Sequence, residues 1–278
     1  QQTSLSFAVS ETTDAGIKIS TGFGLIDEGT AATANPSGLT LTFTDGSKLD
    51  VLKAGNAYKT HIASVPGGGG EVGVTGTTAN SAPSGITFAD TSDSVGFEWH
   101  SAADAFGIDG MKVGVSAAFG DDGDSTTAST STAETSYSVG VSYVTTAGDT
   151  TVTVGGGFIN ADDSNANTSN DKADQVAFSG TAATGNLTVG VGYGSGSMVA
   201  AKSGTSTEVD SAQVMTAGVK YVSGDMTFNV GIVDGEAKDN TTFGSDGTNT
   251  DAHDRVGASI DYVVASGVTA TLGYRDES

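Results

Sequence analysis

Apolar and polar residues alternate strictly over many short stretches of this chain. Between residues 141 and 158, Val141, Tyr143, Val152, Val154 and Phe158 fall on one side of an extended chain, whereas serine, threonine and glycine fall on the other. A period of two residues is that of a β-strand, because successive side chains point to opposite faces of a sheet. A glycine between the two halves supplies the tight turn of a hairpin. The pattern predicts antiparallel strands.

Fourteen such runs follow one another along the chain, and short turns containing Gly, Asn or Asp join them in pairs. The last four turns recur about every 40 residues, and long acidic stretches separate successive hairpins. This arrangement predicts an up-and-down meander with short turns at one end and long loops at the other. The predicted strands are residues 5–11, 16–26, 39–43, 48–54, 94–101, 111–119, 136–144, 150–158, 174–182, 187–194, 213–222, 226–233, 255–264 and 268–276.

Strands of about ten residues are long enough to cross a bilayer at a tilt. A closed ring of about fourteen strands is too wide for side chains to fill, so we expect a water-filled lumen. Water inside accounts for the small polar face, and lipid outside accounts for the apolar face. Patterning alone also fits a water-soluble sandwich, in which the apolar face packs against a second sheet. The fold class that we predict is all-β, an antiparallel transmembrane β-barrel.

Composition and charge narrow the possible functions. Apolar residues make up 36% of the chain, which is low for a soluble domain of this length. The absence of cysteine excludes a disulfide framework and thiolate metal sites. With 33 acidic and 11 basic residues the net charge is −22, which argues against nucleic-acid binding. No apolar run is long enough for a transmembrane helix.

Few residues indicate catalysis or a cofactor. The histidines at 61, 100 and 253 lack metal-ligand spacing, and no nucleophile motif is visible, so we predict no enzymatic activity and no cofactor. Two acidic loop stretches, "DDGD" and "NADDSN", are similar to calcium loops, which present several oxygen ligands at close spacing. The simpler interpretation is a solvated acidic loop. The weak candidates for a divalent cation such as Ca²⁺ are Asp121, Asp122, Asp124, Asp162 and Asp163.

Four stretches carry a resemblance to a known family: "LSFAVSETTDAGIKISTGFGLIDEG", "LTLTFTDGSKLDVLKAGNAYKTH", "SYVTTAGDTTVTVGGGF" and "DYVVASGVTATLGYRDES". They resemble hairpins of general bacterial porins, in particular the 16-stranded type from alphaproteobacteria. The first stretch is similar to strands 2 and 3 of that family, and the second to strands 4 and 5 running into the third loop. The resemblance implies that the chain holds about 14 strands, corresponding to strands 2–15, in a single domain over residues 1–278.

The resemblance further implies that the third loop, residues 56–93, folds into the barrel as a constriction. Acids on such a loop face bases on the wall and create a transverse field. With only two arginines in the chain, we expect a weak field. The candidate loop charges are Lys59, His61, Glu71, Asp90 and Asp93. The candidates that strand alternation points inward from the wall are Lys18, Asp50, Glu98, His100, Lys112, Lys220, Arg255, Asp261 and Arg275.

The predicted function is that of an outer-membrane porin, a passive diffusion channel for small hydrophilic solutes and ions. Acidic loops at the mouth concentrate cations, so we expect a mild cation preference. The resemblance implies a homotrimer in the outer membrane of a Gram-negative bacterium, in contact with lipid and lipopolysaccharide. The alternatives are a soluble or surface-exposed β-rich structural protein or adhesin, and a sugar-selective channel or barrel enzyme.

Overall fold

The computed structural model describes eight parts of the chain: residues 3–27, 32–51, 56–67, 95–119, 135–162, 172–196, 209–239 and 251–277. These parts contain one antiparallel sheet of fourteen strands, in which every strand pairs with its neighbours in chain order. A four-residue helix, α1 (Ala57–Thr60), follows the fourth strand. No helix in the described ranges is long and apolar enough to span a membrane.

The strands are numbered in chain order, and tight turns alternate with longer connections between them. In two of the tight turns, Gly148 and Gly185 have φ values of 62° and 54°, which a side-chain-bearing residue rarely adopts. The strands are β1 (Thr3–Thr12), β2 (Lys18–Asp27), β3 (Ala32–Thr42), β4 (Lys48–Val51), β5 (Gly96–His100), β6 (Met111–Phe119), β7 (Thr135–Ala147), β8 (Thr150–Asp162), β9 (Lys172–Thr184), β10 (Leu187–Gly196), β11 (Val209–Ser223), β12 (Met226–Asp239), β13 (Asp251–Ala265) and β14 (Val268–Glu277).

All fourteen predicted strands are present, and several extend beyond the apolar run that predicted them. β13 begins at Asp251 rather than at residue 255, because backbone pairing with β12 continues where the side chains are polar. β3 begins at Ala32 rather than at residue 39. Its first half contains Pro36, which cannot donate to a ladder, and its register against β2 shifts between Thr21 and Phe23.

The sheet has an apolar face and a polar face. Side chains alternate along each strand, and the pairing register places residues of the same kind next to each other on neighbouring strands. Large apolar side chains on the apolar face are exposed, including Val9 and Val191 at 63% and Leu272 at 75%. In a water-soluble sandwich a second sheet would cover them, but all described strands belong to one sheet. β1 and β14 are its two edges and do not pair with each other, so the predicted ring is an open barrel wall.

Aromatic side chains contact one another on the apolar face where β5, β6 and β7 run side by side. The ring centroids of Phe97 and Phe119 lie 6.3 Å apart, and those of Phe119 and Tyr137 lie 6.5 Å apart in an edge-to-face arrangement. Tyr137 is 54% exposed despite its size. Exposed aromatic rings on the outside of a sheet are typical of a barrel in contact with lipid headgroups.

Candidate functional site

Residues 56–67, called the inner segment below, lie against the polar face of the sheet. α1 contacts β5, β6, β7 and β8. Its first amides have no partner within so short a helix, and wall hydroxyls accept from them instead. The Ala57 amide donates to Ser116 Oγ at 3.3 Å, and the Tyr58 amide donates to Ser138 Oγ at 3.1 Å. The two hydroxyls are 2.6 Å apart and also bond each other, so they tie the segment to two adjacent strands.

The inner segment lies directly on wall glycines, because only residues without a side chain leave room for its backbone. A Cβ built on Gly155 would lie 1.9 Å from the His61 carbonyl oxygen, and one on Gly218 would lie 1.6 Å from the Pro66 carbonyl oxygen. Both distances are far below van der Waals contact. These glycines, called the glycine strip below, run from β6 to β11 and are Gly114, Gly140, Gly155, Gly157, Gly190 and Gly218.

A small apolar cluster forms where the segment covers the wall. Tyr58 is fully buried against Ile159 and Ala177, and Ile62 packs beside it. Burial raises the pKa of the Tyr58 phenol far above its usual range, because the charged form would lose its hydration. Ile159 is a large apolar residue on the polar face, and its burial under Tyr58 explains this exception to the alternation.

A chain of hydrogen bonds crosses from the wall to the segment and back. Ser142 Oγ lies 2.9 Å from His61 Nδ1, and His61 Nε2 lies 3.1 Å from His100 Nδ1. His100 Nε2 lies 2.8 Å from Glu98 Oε1, the same oxygen that accepts a bond of 3.1 Å from the Thr60 hydroxyl. His61 and Glu98 are only 4% and 6% exposed. The bonds therefore join β5, β7 and the inner segment in one buried group.

The environment of His61 disfavours its charged form. Burial is the main reason that its pKa falls to about 4, and the nearby His100 lowers it further, whereas Glu98 acts in the opposite direction. His61 is outside the strands of the wall, in the turn that follows α1. At neutral pH its imidazole is uncharged, so one ring nitrogen donates a hydrogen bond and the other accepts one.

The structure places the nine wall residues predicted to point inward on the polar face. His100 and Glu98 join the group around His61, and Asp50 accepts a hydrogen bond from the Thr40 hydroxyl. Asp261 accepts bonds from Thr271 Oγ1 at 2.7 Å and from Asn229 Nδ2 at 3.0 Å. Arg255 is buried. The remaining four have exposed side chains: Lys18, Lys112, Lys220 and Arg275.

Other predicted residues divide between the segment and the undescribed ranges. Lys59 is half-buried on α1. Asp162 ends β8, but its side chain lies outside what the structure describes. No group of three or more His, Cys, Asp or Glu side chains in the described ranges could hold a metal ion, and the weak divalent sites stay a prediction. The positions outside the described residues are Glu71, Asp90, Asp93, Asp121, Asp122, Asp124 and Asp163.

Several residues of the site were missed by the sequence analysis. Lys48 lies on the polar face beside His100, and the alternation that selects Asp50 also selects this residue. Ser116, Ser138 and Ser142 hold the inner segment, but nothing in the sequence distinguishes them from the other serines of the wall. The glycine strip could have been predicted from the sequence, because several of its glycines fall within strands at positions that face inward.

The comparison with protein families gives a match over the entire chain. The model described as Gram-negative porin matches residues 1–278. No curated protein sequence matches the chain significantly.

Solved structures with the same fold include several outer-membrane proteins. OmpF of Salmonella typhi, solved in complex with daunomycin, is 12% identical with a TM-score of 0.65, over 99% of this chain and 82% of that one. An engineered Rh. blastica porin is 13% identical with a TM-score of 0.61, over 99% and 84%. OmpT of Vibrio cholerae, in a trimer form, is 16% identical with a TM-score of 0.55, over 99% and 87%. At these identities the likeness concerns the fold.

Proposed function

The chain belongs to the Gram-negative porin family, and on that premise we propose that it passes small hydrophilic solutes and ions by passive diffusion past a constriction formed by residues 56–93. It is an outer-membrane porin of a Gram-negative bacterium. The observation that carries the proposal is the contrast between the two faces of one sheet. Exposed apolar side chains cover one face, and glycine, serine, threonine and charged side chains cover the other.

The position of the inner segment supports the proposed constriction. Residues 56–67 occupy space on the lumen side of the wall, and their backbone rests on the glycine strip. A segment held there reduces the cross-section open to solutes, so size exclusion follows from its position. The remainder of the proposed loop, residues 68–93, lies outside the described residues.

We propose a mild cation preference that originates in the acidic loops rather than in the wall. The exposed charges on the described polar face are mostly basic, namely Lys18, Lys48, Lys112, Lys220 and Arg275. The chain as a whole, by contrast, has a net charge of −22, and many of its acidic residues lie in the long connections. Negative potential at the channel mouth raises the local concentration of cations before they reach the wall.

The ionic strength at which selectivity is measured separates these two contributions. The Debye length is about 10 Å at 0.1 M and about 3 Å at 1 M, so salt screens distant loop charges more than charges that line the path. We expect reversal potentials in planar bilayers under a KCl gradient to show cation preference near 0.1 M, and a smaller preference near 1 M. Anion preference at low salt would overturn the proposal.

A matched variant tests the assignment to the loops. The triple variant Asp121→Asn, Asp122→Asn, Asp124→Asn removes three acidic charges between β6 and β7 without changing the described wall, and should reduce the cation preference at low salt only. Replacement of Lys220 by Gln removes one wall base and should increase the preference at both salt concentrations. If the loop variant has no effect at low salt, the wall rather than the loops sets the selectivity.

We propose that the channel is a homotrimer in contact with lipid and lipopolysaccharide through its apolar face. A Vibrio cholerae neighbour of the same fold is described in a trimer form, which supports self-association. We also propose that the protein has no catalytic role. Ser142 and His61 contact each other as a nucleophile and a base would, but His61 is buried and its second nitrogen is bonded to His100. A substrate would have no access to this pair.

A further inference from the structure

Part of the hydrogen bonding that holds the inner segment, beyond α1, depends on two imidazoles that face each other. His61 belongs to the segment and His100 to the wall, and they are called the histidine pair below. Their nitrogens Nε2 and Nδ1 are 3.1 Å apart, and their ring planes are inclined by 47°. Ser142 bonds the pair at one end and Glu98 bonds it at the other. How many protons the pair carries decides whether all three bonds can form.

With no added proton the bonds run in one direction. The Glu98 carboxylate can only accept, so His100 Nε2 carries the hydrogen and His100 Nδ1 is an acceptor. His61 Nε2 then donates to His100, and His61 Nδ1 accepts from the Ser142 hydroxyl. Every group in the chain has a partner of the opposite kind.

One added proton also leaves every bond intact. With His100 charged, both of its nitrogens donate, one to Glu98 and the other to His61 Nε2. His61 stays neutral with its hydrogen on Nδ1, and it donates to Ser142 Oγ, which can accept as well as donate. The bonds reverse direction between His100 and Ser142, and only hydrogen atoms need to move. The added charge also forms an ion pair with Glu98 at 2.8 Å.

A second proton breaks one link between the inner segment and the wall, the bond between the two histidines. Both nitrogens of the 3.1 Å contact would then carry a hydrogen, and two charged rings would face each other in a buried site. A donor opposite a donor makes no hydrogen bond, and like charges at this distance repel. The hydrogen bond between His61 and His100 is lost, whereas the bond from Thr60 to Glu98 and the bond between Glu98 and His100 remain.

We propose that His61 and His100 are positioning residues that fix the His61 end of the inner segment against the wall while the pair carries at most one added proton, and that they release this end when the second proton binds. The proposal rests on the channel function proposed above. The low pKa of His61 agrees with the proposal, since burial and then the neighbouring His100 oppose protonation of His61 until about pH 4. His61 is neutral above that value and charged below it. The two steps belong to the pair as a unit.

Charged groups around the histidine pair also affect how readily it takes up the second proton. Lys112 lies on β6, where its backbone pairs with Ser142, and its charge lowers the pKa of His61 further. Lys48 and Asp50 on β4 pair with His100 and Glu98 respectively, and Lys59 belongs to α1 itself. The neighbouring β7 and β8 meet the segment with Ser138, Ser142, Gly155 and Gly157 and add no charge there.

The glycine strip determines the direction in which a released segment moves. The carbonyls of His61 and Pro66 already lie against Gly155 and Gly218, so the wall leaves no space behind them. Movement is therefore toward the lumen, where it narrows the path. We expect acid to lower the unitary conductance and to add noise to the open-channel current, as the segment samples positions away from the wall.

The experiment is a pH profile of single-channel conductance in planar bilayers, from pH 7 to 3, for the natural chain and three variants. In His61→Gln the side chain still offers a donor and an acceptor but takes up no proton. His100→Gln removes the partner on the wall, and His253→Gln is the matched control, because it removes the one remaining histidine of the chain, on β13. The natural chain and His253→Gln should show a drop in conductance centred near pH 4.

We expect this drop to be absent in His61→Gln and in His100→Gln. Titration of carboxylates changes the current in all four proteins alike. The test of the histidine pair is therefore the difference in conductance between each variant and the natural chain at the same pH. A drop that persists unchanged in His61→Gln, or a natural chain whose conductance stays constant down to pH 3, would overturn the proposal. Failure of the natural chain to form any channel at neutral pH would instead overturn the proposed function.

Discussion

The contact between the inner segment and the glycine strip predicts that Gly155→Ala narrows the channel. Gly155 lies on β8 between Ser142 and Ser179, with the His61 carbonyl above it. A methyl group there would be 1.9 Å from the carbonyl oxygen and 3.0 Å from the carbonyl carbon. Both atoms belong to the backbone, so no side-chain rotation relieves the overlap. Either the segment moves into the lumen or the strand bends away from it.

The size of the displacement follows from the contact distance. To restore an ordinary separation of about 3.4 Å, the carbonyl must move by about 1.5 Å. A shift of that size stretches the 2.9 Å contact between His61 and Ser142, as well as the 3.1 Å contact with His100, beyond hydrogen-bonding range. If the segment stays in place instead, overpacking costs about 1–3 kcal/mol of stability. Movement of the segment is the easier response, because the lumen is open to water.

The measurements are unitary conductance in planar bilayers and the permeation of sugars of graded size into proteoliposomes. Gly155→Ala should lower the conductance and reduce the size of the largest sugar that permeates. Gly273→Ala is a matched control on the polar face, where the nearest atoms would be 3.8 Å and 4.0 Å from the new methyl group. It should behave like the natural chain. Equal conductance and equal exclusion limits for Gly155→Ala and the natural chain, with both folded, would refute the reasoning.

Two further substitutions test how the segment is held. Ser138→Ala removes the acceptor of the Tyr58 amide and a partner of Ser116, and leaving a buried donor unpaired should cost about 1–3 kcal/mol, measured as a lower unfolding temperature in detergent. Tyr58→Phe removes a buried hydroxyl that has no partner among the described residues. Because the ring packing against Ile159 is kept, its unfolding temperature should be equal to or above that of the natural chain; a clear decrease would show that the hydroxyl is bonded.

The wall was predictable from the sequence because one rule governs it. Side chains alternate with a period of two and register carries the faces from strand to strand, so Lys18 and Arg275 fall on the same face although they lie at opposite ends of the sheet. Strand ends were less predictable, because the backbone ladder does not stop where apolar residues stop. β13 continues through residues 251–254, where the chain reads Asp-Ala-His-Asp, and the pairing with β12 holds it.

The place of the inner segment was only partly predictable, because it depends on contacts between residues far apart in the sequence. Alternation places His100 and Glu98 on the polar face, but it does not bring His61 to them from 39 residues away. That contact requires the path of the inner segment, and the path depends on where the wall has no side chains. Ile159 shows the same dependence, since an apolar residue facing water would be unfavourable without Tyr58 above it.

The position of the segment divides the charges of the polar face into two groups with different consequences for selectivity. Glu98 is buried beneath the segment and is hydrogen-bonded to His100 and Thr60, so ions in the lumen meet little of its charge. The exposed side chains of Lys112, Lys220 and Arg275 act on ions directly. The described wall therefore opposes the acidic loops, and a cation preference requires the loops to prevail over it. Because salt screens distant charges first, the channel should lose its preference for cations over anions, or even prefer anions, as ionic strength rises.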